Sequence, residues 1–303
     1  MSLKRLKTVR DFVRYGASEF ARQGLVFAQG TDNALDEAFH LVLWALKLPA
    51  DLPAIYLEAA LTADECKQVT ALIEQRVESR RPLAYLMGEI HFCGLPFHVD
   101  ERVLIPRSPI AELIETEFSP WLTQSPRHIL DLCTGSGCIG IACAHAFPDA
   151  QVDLAELDAG ALEVARSNIA RHGCEAQVKV VQGDLFAKLP KKRRYGLIVS
   201  NPPYVPTAEV DALAPEFRHE PRMALEAGAD GMEIVERILR EAPAHLTEQG
   251  VLVCEIGGSR AEFEARFPDL PADWPSFARG GDGVLVIGRA ALSEWLASAT
   301  FKD

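Results

Sequence analysis

The chain has 303 residues, 48% of them apolar, and a formal net charge of −12. That length can bury two cores or one large one, and the acidic balance argues against nucleic-acid binding that is blind to sequence, where phosphate neutralisation dominates. No apolar run reaches the roughly 18 residues of a membrane span, the N-terminal MSLKRLKTVRDF lacks the pattern of a secretory signal, and the seven scattered cysteines hold no C-x-x-C, so the expectation is a cytoplasmic protein with reduced thiols and no metal site.

Residues 1–80 carry a helical period. Val9, Phe12, Val13, Gly16 and Phe20 recur at i, i+3, i+4 spacing, as do Leu35, Ala38, Phe39, Val42, Ala45 and Leu46. A third helix opens at Thr62 with Glu65 three residues later, a capping box, and continues through Val69, Leu72 and Ile73. Pro49 and Pro53 separate the second helix from the third, and no strand signal appears. A small helical bundle is expected. In residues 81–107, CGLP breaks two β-like runs, which predicts a hairpin bridging two domains. His91 and His98 flank it, and nothing marks them as ligands. Ser108 and Pro109 then fit the N-cap and first position of a helix, IAELIETEF.

From 127 onward the pattern changes. HILDLC, QVDLAEL, QVKVVQGDL, YGLIVSNPPY, GVLVCEIG and GVLVIGR read as strands. CIGIACAHAF, AGALEVARSNIARHG and GMEIVERILREAPAHL read as helices between them, and the last residues as a short helix with a frayed end. Strands alternating with helices indicate βαβ units and a parallel sheet covered on both faces. The cationic run KKRR at 191–194 is read as a solvated loop.

DLCTGSGCIG places Gly135, Gly137 and Gly140 in G-x-G-x-x-G spacing between a strand and a helix, with Glu156 at the end of the next strand. Glycines there let the backbone turn tightly and approach a ligand, and a carboxylate at Glu156 can accept from ribose hydroxyls. The set predicts a site for an adenosine-bearing ligand formed by Asp131, Cys133, Thr134, Gly135, Gly137, Glu156 and Leu157. NAD(P) is the competitor. A dinucleotide site uses helix-terminal N–H groups for a pyrophosphate, and an acid such as Asp131 before the loop suits a cationic ligand better. S-adenosylmethionine carries an ammonium and a sulfonium and no phosphate. In GDLF, Asp184 can hold the adenine amino group while Leu185 and Phe186 cover the ring.

After the fourth of these strands stands Asn201-Pro202-Pro203-Tyr204. With the elements above, this resembles S-adenosylmethionine-dependent methyltransferases that act on planar, conjugated nitrogens. The lone pair of such a nitrogen is delocalised. Two acceptors taking both N–H hydrogens can orient it and favour pyramidalisation as the new bond forms. The Asn201 side-chain oxygen and the Pro202 carbonyl are that pair. The prolines stiffen the turn, Tyr204 can lie against the flat group, and Asn201 also borders the donor. This is positioning plus transition-state electrostatics rather than strong-base chemistry.

Nearly the whole chain resembles the HemK-like protein-(glutamine-N5) methyltransferases: helical N-terminal domain (1–80), which the resemblance makes the substrate-recognition domain, hairpin bridge (81–107) and methyltransferase domain (108–303) with DLCTGSGCIG and NPPY. The resemblance implies an α/β fold, a Rossmann-like parallel sheet with one antiparallel strand, S-adenosylmethionine as donor, and a protein glutamine held by Asn201 and Pro202. The ribose acid, often Asp in that family, is Glu156 here. One branch modifies the GGQ glutamine of peptide-chain release factors and has IPRPDTE before the methyltransferase domain. LIPRSPIAELI, FVRYGASEF, TDNALDEAFHLVLWALKLP, EIHFCGLPFHVDERVLIPRSP, PEFRHEP and GGDGVLVIG are similar instead to the branch that methylates large-subunit ribosomal protein three. That branch implies a ribosomal-protein substrate, met before or during ribosome assembly, and no stable nucleic-acid or membrane partner. The alternatives are the release-factor glutamine and an exocyclic amino group of a nucleic acid. His219 and Glu220 are read as part of a solvated loop, and Glu255 as satisfied locally.

Overall fold

A computed structural model describes residues 5–298; the expected frayed end at 299–303 lies outside them. The chain divides into two compact units, one running to Ile90 and including Ala214–His219, the other comprising His91–Leu213 and the chain from Glu220 onward.

In the first unit α1 (Val9–Arg22), α2 (Ala34–Ala45), α3 (Ala63–Ser79) and the short α4 (Leu83–Met87) are helical. The capping box read at Thr62 and Glu65 is formed: Glu65 N donates to Thr62 Oγ1 at 3.3 Å, and Thr62 N to Glu65 Oε2 at 2.7 Å. A second box, Thr8 with Asp11, opens α1, and Asn33 caps α2. The predicted periodic residues Val9, Phe12, Val13, Phe20, Ala38, Val42, Val69 and Ile73 share one core. Inside it Arg76 Nε donates to Glu37 Oε1 at 2.7 Å, both residues being almost fully buried. The inserted Ala214–His219 is fixed by Glu216, which is fully buried and accepts from Arg80 Nη1 at 2.9 Å and Val26 N at 3.2 Å.

The predicted hairpin is present as β1 (Glu89–Phe92) and β2 (Leu95–His98). Next comes α5 (Ile110–Glu115), shorter than the sequence suggested because Glu117 and Phe118 take left-handed φ values of 51° and 57°. The second unit then alternates β3 (His128–Leu132), α6 (Cys138–Ala146), β4 (Gln151–Glu156), α7 (Ala159–Arg171), β5 (Val178–Gln182), β6 (Tyr195–Ser200), α8 (Thr207–Val210), α9 (Glu233–His245), β7 (Leu246–Glu255), α10 (Arg260–Arg266), β8 (Val284–Gly288) and α11 (Arg289–Ser298). The six-stranded sheet has the order β5-β4-β3-β6-β7-β8 and is parallel except for the β7–β8 pair. Its strands read as continuous apolar runs because both faces are covered: Ile129, Leu197, Val199, Val251 and Val253 enter the core on one side, and Leu130, Ile198, Leu252 and Cys254 the core on the other.

The KKRR run is not wholly a solvated loop. Arg193 pairs with Asp153, a carboxylate buried in β4 that also accepts from Tyr195 Oη at 2.7 Å. An acid inside a sheet needs such a counter-charge, so the run supplies one arginine to the interior.

Candidate active site

Strand order reverses between β3 and β6, since β4 and β5 follow on one side of β3 and β6 starts the other. Ligands of open α/β sheets bind at the carboxyl ends of the strands at such a switch point. A cavity of about 400 Å³ lies at this end, within the range of small-molecule sites. Cys133, Thr134 and Gly135 after β3, Glu156 and Leu157 after β4, Asp184 and Leu185 after β5, and Asn201 and Pro203 after β6 all line it. Asp131, Gly137, Pro202 and Tyr204 do not.

The glycine loop is built for close approach. Gly137 heads α6 with φ +82°, and a Cβ on Gly140 would stand 2.1 Å from Leu154 Cδ2, so a side chain there would force the buried Leu154 to move. Asp131 braces the loop from behind. Its Oδ2 accepts from Thr134 Oγ1 at 2.5 Å and Gly140 N at 2.9 Å. Burial pushes this carboxyl up to about 7, against the pull of those two bonds. Cys133 and Leu185, both cavity residues, sit at left-handed φ values of 56° and 46°. Backbone of that kind costs on the order of 1–3 kcal/mol and gathers at functional sites.

Glu156 is held by three backbone donors: Gly135 N at 3.0 Å on Oε2, and Leu157 N at 2.8 Å and Asp158 N at 3.1 Å on Oε1. These bonds occupy three of a carboxylate's about four acceptor positions. Glu156 is therefore a brace for the loop through its bond to Gly135, and it lines the cavity as well. The same bond bears on the dinucleotide alternative. Gly135 N, which a pyrophosphate would need, is already given to a carboxylate. Asp184 is oriented by Arg237, whose Nη2 donates to its Oδ2 at 2.8 Å.

Two further segments line the cavity, and the sequence did not reveal their roles. They are Val103, Pro106, Arg107 and Ser108, and Pro221, Met223, Ala224 and Glu226. They are stitched together by Arg107, which pairs with Glu220 through Nη1 at 2.5 Å and Nη2 at 2.9 Å. Glu220 is 4% exposed and also accepts from Ile105 N at 3.1 Å. The expected solvated loop is thus corrected at Glu220, since a desolvated acid requires its bidentate arginine. His219 Nε2 donates to the Ser79 carbonyl at 3.0 Å. The next residues back the Asn201–Tyr204 turn: Val205 N donates to Leu225 O at 2.8 Å, Ala227 N to Val205 O at 3.0 Å and Thr207 N to Gly228 O at 2.8 Å. Glu255 finds its partners far along the chain, in Ser108 and Tyr204.

The chain matches the family model "Methyltransferase small domain" over residues 116–257. Sheet, loop and turn together define a Rossmann-like methyltransferase. A ribosomal protein uL3 glutamine methyltransferase of Xylella fastidiosa is 50% identical over 283 residues, covering 93% of this chain and 90% of that protein, and one of Francisella tularensis is 43% identical over 287 residues, covering 94% and 91%. This chain belongs to the family of ribosomal protein uL3 glutamine methyltransferases. Among solved structures, a methyltransferase from Pyrococcus furiosus aligns with 65% of this chain and 89% of its own at 19% identity, with a TM-score of 0.48. Among the described residues no helix is long and apolar enough to cross a membrane.

Proposed function

We propose that this protein transfers a methyl group from S-adenosylmethionine to the side-chain amide nitrogen of a glutamine in ribosomal protein uL3, in the cytoplasm. The observation that carries the reading is that Asn201, an acceptor with no strong base needed beside it, lines the same cavity as Glu156 and Asp184. Near-full-length identity to two uL3 glutamine methyltransferases supports the substrate.

The donor supplies an electrophilic methyl on a sulfonium: its S–CH3 bond breaks as the N–CH3 bond forms, the thioether S-adenosylhomocysteine leaves, and the methylated amide gives up one proton to water. Cys133, Thr134 and Gly135 border the donor, and Asp131 and Gly137 hold that loop in shape. Glu156 accepts from its ribose, Asp184 from its adenine amino group, and Leu157 and Leu185 cover the ring. Leu157 is 55% exposed beside the cavity, an apolar face that a flat ring would cover. Asn201 and the Pro202 carbonyl accept the two N–H bonds of the glutamine amide. Pro202 and Pro203 leave that turn little freedom. The helical unit recognises the protein substrate. The test is mass spectrometry of purified uL3 and of a release factor, each incubated with the enzyme and donor. A gain of one methyl on a uL3 glutamine is expected. Methylation of the release factor alone would shift the reading to that substrate, and no methylation of either would end it.

Glu156→Ala should weaken donor affinity by about 10–100-fold, the loss of a charge-assisted hydrogen bond worth about 1.5–3 kcal/mol. Titration calorimetry reads this directly, and unchanged affinity would remove Glu156 from the donor site.

A further inference from the structure

We propose that Glu255 is a positioning residue for the acceptor turn: it fixes Tyr204, and through Tyr204 the direction of the Asn201 and Pro202 acceptors. The inference rests on the methyltransferase reading above. Glu255 ends β7, is 5% exposed, and lies across the sheet edge from the turn that follows β6. Tyr204 Oη donates to its Oε1 at 3.3 Å, and Ser108 Oγ to its Oε2 at 2.5 Å. Ser108 Oγ in turn accepts from Ile110 N at 3.2 Å. The carboxyl is therefore not a loose surface group. It is anchored from the start of α5 and presents one oxygen to the phenol.

The ring of Tyr204 is held as tightly as its hydroxyl. A Cβ on Gly257 would stand 2.6 Å from Tyr204 Cε2 and 3.0 Å from Oη, so the ring packs closely against that glycine. Tyr204 does not line the cavity, whereas Asn201 and Pro203 do. Its phenol points to Glu255, and so Tyr204 acts on the reaction through the turn it terminates. The following residue, Val205, is clamped from the other side by the backbone of Leu225 and Ala227. The turn is pinned at Tyr204 by its side chain and by Ser259 Oγ, which donates to the Tyr204 carbonyl at 3.4 Å, and at Val205 by a two-bond ladder. Removing the bond to Glu255 loosens the side-chain pin and lets the acceptors tilt about the rest. A misplacement of about 1 Å at a reacting group can cost about 100-fold in rate.

The experiment compares wild type, Tyr204→Phe, Glu255→Ala, Glu255→Gln and the double variant Tyr204→Phe/Glu255→Ala. Single-turnover methyl transfer to uL3, donor affinity and thermal melting are measured for each. Tyr204→Phe and Glu255→Ala are each expected to slow methyl transfer by about tenfold, with donor affinity within about twofold of wild type because the donor carboxylates sit after β4 and β5. The double variant should be no slower than the slower single one, since both remove the same link. Glu255→Gln keeps an acceptor for Tyr204 and a donor for Ser108, and should recover most of the rate lost in Glu255→Ala. Multiplying effects in the double variant would overturn the inference, as would a loss of donor affinity equal to the loss of rate, or Glu255→Gln as slow as Glu255→Ala. A wild-type enzyme that leaves uL3 unmethylated would instead bring down the underlying function.

Discussion

Asn201→Ala is expected to slow methyl transfer to uL3 by about 100-fold while leaving donor affinity close to wild type. The amide nitrogen of glutamine is a poor nucleophile, and the enzyme's contribution is to hold it where its lone pair meets the methyl. On the proposed mechanism Asn201 and Pro202 share that task. Removing one preorganised acceptor costs on the order of 3 kcal/mol in the transition state, which is about 100-fold in rate. Asn201 stands after β6, whereas Glu156 and Asp184, the proposed donor carboxylates, stand after β4 and β5, so on that proposal the donor keeps its own partners. Asn201→Asp retains an oxygen in place and should be less severe, although its charge alters the field at the nitrogen. Single-turnover transfer with calorimetric donor binding separates the two effects. A wild-type rate in Asn201→Ala would remove the planar-nitrogen mechanism. A loss of donor affinity by the same factor as rate would make Asn201 a donor ligand only.

What could be read from the sequence was local. The period of Val9, Phe12, Val13 and Phe20, the Thr62–Glu65 box and the βαβ alternation all express spacings of a few residues, and each appears in the structure. The glycine loop and the Asn-Pro-Pro-Tyr turn could be read for the same reason, because each is a contiguous backbone device. Contacts made across the chain left no such pattern. Glu220 meets Arg107 at a separation of 113 residues, and Glu255 meets Ser108 at 147. A glutamate after a polar stretch looks solvated until the fold brings an arginine to it. The segments IPRSP and PEFRHEP carried a family likeness, but a likeness does not say that one grips the other. Arg193 was hidden in the same way, a single member of a charged run chosen by Asp153 forty positions away. The short α4, α8 and α10 were missed because helices of 5, 4 and 7 residues give the period too few turns to show itself.

The largest expected effect on stability lies in the helical unit, at a pair that no sequence pattern singles out. Arg76 is 1% exposed and Glu37 4% exposed, and Glu37 also accepts from Thr31 Oγ1 at 2.9 Å through its second oxygen. Glu37→Ala leaves the guanidinium buried without its counter-charge, at a cost of about 3–5 kcal/mol. The pair itself is a different matter, since two charges taken out of water repay little of their desolvation. Replacing both, as Glu37→Leu/Arg76→Met, should bring the unit back to within about 1 kcal/mol of wild type or above it. Urea denaturation monitored by far-ultraviolet circular dichroism measures both, with midpoints compared at equal slope. Donor binding in Glu37→Ala should persist at low denaturant, because every residue lining the cavity belongs to the other unit. An unchanged midpoint in Glu37→Ala would mean that water reaches Arg76 in solution. A double variant as unstable as Glu37→Ala would mean that the ion pair, and not merely the filling of its space, holds α2 and α3 together.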